Sequence, residues 1–133
     1  MDERGCSSVG ILKMDDYRNC LAAAKECYPF SKWAEWGIEQ HTEKALNLFS
    51  AVFNHLIERL TALGERAPES DKIAAFRQAV EALNALNEKN ELLIETDERE
   101  DLCNLCNIIA TAAAIDPGKY GHGEGPASEW RDW

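Results

Sequence analysis

The feature that most constrains this chain is an apolar stripe of helical period near its middle. Ala45, Phe49, Val52, Phe53, Leu56, Leu60 and Leu63 recur at steps of three and four, with one adjacent pair. Such steps place them on one side of a helix that turns every ~3.6 residues. The stripe predicts a long helix over 38–63. Gly64 follows it, a residue without a Cβ and therefore suited to the left-handed stop position. Three further stretches repeat the pattern. Tyr17, Cys20, Leu21, Ala24 and Cys27 predict a helix that starts at Asp15 or Asp16 and stops before Pro29. Ile73, Phe76, Val80, Leu83 and Leu86 predict another over 70–89, with Ala79 and Ala82 allowing a neighbour close approach. Leu102, Leu105, Cys106, Ile109, Ala112 and Ala113 predict a fourth, capped by Thr96 or Asp97 and stopped by Asp116-Pro117-Gly118. No sustained alternation of apolar and polar residues marks a strand.

These stretches fix the expected fold class as all-α, a single-domain bundle of about four helices with a Gly/Pro-rich C-terminal tail. The expected organisation is a flexible lead-in over 1–12, a helical bundle over 13–115, and a loop-like tail over 116–133 docked on the bundle. The short polar link from Glu65 to Ser70 makes the helices it joins antiparallel neighbours. With 133 residues, 45% of them hydrophobic, the chain can bury one core without metal or disulfide staples.

Charge narrows the function. A formal net charge of −10, from 24 acidic and 14 basic residues, repels a phosphate backbone and argues against nucleic-acid binding. It attracts and steers a basic protein instead. Residues 65–101 hold eleven acids and five bases, whereas residues 1–64 hold nine and seven, so the acidity lies mainly in the second half. No apolar run approaches the roughly 18 residues that cross a bilayer. The opening Met1-Asp2-Glu3-Arg4 lacks the cationic and apolar segments of a signal peptide. The expectation is a cytoplasmic protein without a membrane partner, in which Cys6, Cys20, Cys27, Cys103 and Cys106 are free thiols.

Each candidate chemistry meets a geometric objection. Cys103 and Cys106 stand one helical turn apart and are the candidate metal or redox pair. A structural zinc needs four ligands, and no second pair of matching spacing accompanies them. They also begin inside a helix and not at the exposed helix start where a reactive thiolate is stabilised. His41 and His55 lie on one helix but roughly 21 Å apart. His55 and Glu58 reverse the order of a Glu-x-x-His di-iron pair, and no second pair exists. Nucleophile elbows, phosphate-cradling loops and His-Glu-x-x-His runs are absent from the sequence. The reading is therefore non-catalytic, with no cofactor.

Two features point to binding. Glu95, Asp97, Glu98, Glu100 and Asp101 crowd the start of the fourth helix against a single Arg99. They serve as a docking edge for a basic surface, and the same acids also suit the positive end of the helix dipole. Four tryptophans fall outside the long stripes, and tryptophan is enriched at binding hot spots. Trp33 and Trp36 are the expected apolar anchors, while Trp130 and Trp133 are expected to fold back and seal the bundle.

From Ser70 onward the chain resembles a group of small bacterial helical proteins of uncharacterised activity. The resemblance rests on Ala79-Val80-Glu81-Ala82-Leu83-Asn84, the acidic link from Ile94 to Glu100, the Ala-rich helix ending at Ile115-Asp116-Pro117, and the closing Glu129-Trp130-Arg131-Asp132-Trp133. It implies a helical bacterial domain and transfers no catalytic residue. The expected function is an acidic protein-binding domain, of the immunity or inhibitor kind, that occludes a basic partner such as a toxin. The alternatives are a self-associating helical module, with a homodimer as its form, and a metal- or thiol-dependent enzyme using Cys103 and Cys106.

Overall fold

The computed structural model describes residues 13–35, 43–89, 94 and 96–133. Among them the chain is all-α. The helices are α1 (Lys13–Ala23), α2 (Phe30–Glu35), α3 (Glu43–Leu63), α4 (Glu69–Lys89), α5 (Thr96–Ala112) and α6 (Ala127–Trp130), with short 3-10 turns over Ala24–Cys27, Pro117–Lys119 and Gly121–Gly123. No helix among the described residues is long and apolar enough to cross a membrane.

Helix α3 buries Ala45, Leu46, Phe49, Phe53, Leu56, Ile57 and Leu60. The predicted stripe is thus rotated slightly: Leu46 and Ile57 enter the core, while Val52 stays half-buried against it. Gly64 takes a φ of +88° and its N–H donates to Leu60 O at 3.1 Å, which closes α3 at the expected residue. After this short turn α4 returns antiparallel to α3, with Phe76, Val80 and Leu83 fully buried.

The N-terminal elements close the other side of α3. Tyr17, Cys20, Leu21 and Ala24 are buried, and the Tyr17 hydroxyl donates to Leu60 O at 2.9 Å. Helix α2 carries Phe30 and Trp33 inward. Trp33 meets Phe30 and Phe49 edge-on, with ring centroids 5.2 and 5.6 Å apart, in the T-shaped geometry that aromatic quadrupoles favour. The thiol expectation needs one correction. Cys20 is disulfide-bonded, while Cys27, Cys103 and Cys106 are free.

Helix α5 lays Leu102, Leu105, Cys106 and Ile109 into the core and ends earlier than its sequence stop. Ile115 N–H donates to Ala110 O and Ala114 N–H to Thr111 O, a Schellman pair that holds Ala114 at a φ of +64°. The tail then folds back. Asn84 on α4 donates to Trp130 O at 2.9 Å and accepts from Asp132 N–H at 3.1 Å. Trp130 and Trp133 pack half-buried against the core. The closing segment is more regular than a loop, since α6 and two 3-10 turns organise it.

Candidate functional site

The residues expected to bind a partner separate once the chain is folded. Trp33 has no exposed surface. Its indole Nε1–H donates to Asp101 Oδ2 at 2.9 Å, and Lys32 Nζ lies 3.1 Å from the same oxygen. A tryptophan sealed among Phe30 and Phe49 cannot anchor an external protein, so that expectation is corrected. Asp101 is spent on the same junction between α2 and α5. Glu98 is 3% exposed and offers no surface charge. Asp97 and Glu100 remain exposed on the first turns of α5. Trp36 and Glu95 lie outside the described residues. The docking edge read from five acids therefore keeps two of them among the described residues.

The thiol pair also divides. Cys106 faces the core and is completely buried, so desolvation drives its pKa far up. Cys103 is half-buried beside Ser128 and Arg131, and its pKa is raised chiefly by burial, with Arg131 and Arg99 pulling the other way. A thiolate is the metal ligand and the nucleophile, so both environments oppose the chemistry that the spacing suggested. Among the described residues no three His, Cys, Asp or Glu side chains converge on one point.

The surface that sequence reasoning missed lies between α3 and α4, on the face turned away from α1. A groove of about 490 Å³ runs between the two helices. Leu48, Val52 and Leu86 form its apolar walls, and Ala79 and Ala82 its floor. Leu48 is the exposed large hydrophobic side chain among the described residues, at 38%. Lys89 is the charged residue of the lining, and no carboxylate contributes to it, although the chain has 24. At the far end Arg59 donates to Gln78 Oε1 across the groove. A signal was present in the sequence. Ala75, Ala79, Ala82, Leu86 and Lys89 follow one another at steps of four and three, the spacing of a helix–helix seam. Ala79 and Ala82 leave room for a neighbour's close approach, and Ala82 is only half-buried.

A second apolar groove, about 400 Å³, lies between α5 and the end of α1 with the 3-10 turn that follows it, with Cys27 and Ile108 in its lining. Comparison with family models, with curated proteins and with solved structures finds no match for this chain.

Proposed function

We propose that the chain is a non-catalytic protein-binding domain whose contact face is the α3–α4 groove. The observation that carries this reading is an apolar, carboxylate-free groove on an otherwise acidic helical bundle. Concave, mostly apolar clefts between the helices of a bundle are places where ligands and partners bind. The groove is built on two 21-residue helices, which hold it rigid before any partner arrives, so little ordering entropy is lost on binding. The inhibitor or immunity reading, with a basic partner, rests on Asp97 and Glu100, whose exposed carboxylates stand on a different element from the groove.

Position-specific photo-crosslinking tests the assignment. A benzophenone side chain replaces Ala85, which lines the groove, or Arg77, which is exposed and paired with Glu81. In extract of the source cells, position 85 is expected to give a discrete protein adduct that position 77 does not. The adduct is expected to vanish with Leu48→Lys. Equal labelling at both positions, or none at 85, removes this face from consideration.

A further inference from the structure

We infer that the α3–α4 groove receives one amphipathic helix of another protein, with carboxylates about eleven residues apart flanking an apolar ridge. This inference rests on the protein-binding reading and names its partner. Three observations select a helix of that charge.

The first is register. Leu48, Val52 and His55 on α3 stand at steps of four and three, as do Ala75, Ala79, Ala82 and Leu86 on α4. Two antiparallel helices with seams of this spacing present holes into which the ridge of a third helix inserts as knobs. The small alanine side chains let its backbone come close.

The second is charge. Lys89 closes one end of the groove, and Arg59 spans the other by its hydrogen bond to Gln78. Among the described residues neither cation meets a carboxylate. Lys89 and Gln78 are eleven positions apart, which on α4 is roughly 16 Å. Two carboxylates eleven apart on a partner helix fall on one face, since eleven residues make close to three turns. They reach both cations at once.

The third is shape. The groove is concave, and among the described residues Leu48 and Ala85 on its lining are exposed. Two copies of this chain set face to face would bring cationic end against cationic end and leave a void between two alanine floors, a like-charge and packing cost that opposes a homodimer. A small amphiphile would leave much of its surface wet, whereas small-molecule sites bury some 70–90% of their ligand. A helix fills the space and covers Leu48.

The test uses the full chain and two synthetic 21-residue helical peptides with leucines at the ridge. One carries glutamates eleven apart; the other carries lysines at the same two positions. By fluorescence anisotropy the glutamate peptide is expected to bind at least ~10-fold tighter than the lysine peptide, with the preference shrinking as salt is raised. Lys89→Glu is expected to reverse the preference. Ala85→Arg, at an exposed position, is expected to leave helicity by circular dichroism unchanged and to abolish binding of both. Equal affinity for the two peptides overturns the charge assignment. Dodecanoate binding where neither peptide binds assigns the groove to a small amphiphile and overturns the helix. A dimer in sedimentation that Ala85→Arg dissolves overturns it in favour of a second copy. If neither peptide binds while the position-85 adduct still forms, the acidic helix is wrong and the protein-binding reading stands. If the adduct is also absent, both fall.

Discussion

Lys72 carries an ammonium into the interior, only 3% exposed. Its Nζ donates to Glu65 O at 2.7 Å and to Ala113 O at 2.9 Å, and sits 5.1 Å from the centre of the Tyr17 ring. Those carbonyls lie just past the ends of α3 and α5, where helix dipoles leave negative potential. Burial lowers the lysine pKa, while the charges of Glu65 and Glu69 pull it back up. One side chain therefore ties three segments distant in sequence. Lys72→Met keeps the apolar stem and removes the donor, leaving two carbonyls short of a partner. The expected cost is about 2–3 kcal/mol, read as a lower denaturant midpoint at unchanged slope. A change below about 0.5 kcal/mol would mean that water replaces the ammonium without penalty. Nothing near Lys72 in the sequence distinguishes it from a solvated lysine. Its role depends on where α5 ends and where Tyr17 packs. The same holds for Trp33, whose hydrogen-bond partner Asp101 is 68 positions away.

At the scale of the element, the periods were legible, as were the ends of α3 at Leu63 and of α4 at Lys89, whereas the end of α5 was not. The Gly64 stop follows from glycine chemistry, because a left-handed residue without a Cβ meets no steric penalty. Asp116-Pro117-Gly118 reads as an equally firm stop, yet α5 ends at Ala112. The chain is turned by Ala114 in the left-handed region, a conformation that costs an L-residue roughly 1–2 kcal/mol. The buried Ile115, 3% exposed, offsets this cost by packing under the Schellman turn. Ala114→Gly relieves the strain at an exposed position, partly offset by the extra entropy of glycine in the unfolded chain. It is expected to stabilise the protein by about 0.5–1 kcal/mol, a rise of several degrees in Tm. A fall in Tm would show that the turn is held without strain. Helix α2 spans six residues, too few to display a period. Its aromatic contacts hold it in place.

For the whole molecule, the contacts that join elements include neutral tyrosines. The Tyr17 hydroxyl links α1 to α3, and the Tyr28 hydroxyl donates to Asn54 Oδ1 at 2.8 Å. Burial, with the Glu65 charge behind it, pushes the Tyr17 pKa from 10.0 up to about 12, and burial alone pushes Tyr28 up as well. A raised folded pKa means that the native state keeps the proton after the unfolded chain has lost it. The stabilisation is complete below pH 10 and is lost as pH climbs toward 12. Unfolding midpoints are therefore expected to hold up to pH 10 and fall steeply above it, with Tyr17→Phe showing a shallower fall. An identical alkaline slope in that variant would place the lost protons elsewhere.

Sequence by itself determined the all-α class, the ends of α3 at Leu63 and α4 at Lys89, and the antiparallel α3–α4 pair. Those follow from period, glycine geometry and link length, all of which act over a few residues. Only the tertiary structure decided which polar groups are spent internally. Trp33 and Asp101 pair across the bundle, Glu98 and Lys72 are buried, and Asn84 pins the tail. It also decided which side of the α3 and α4 seams stays uncovered among the described residues. A stripe records that a face is apolar, but whether a neighbour covers it depends on how many helices the chain can bring to that face.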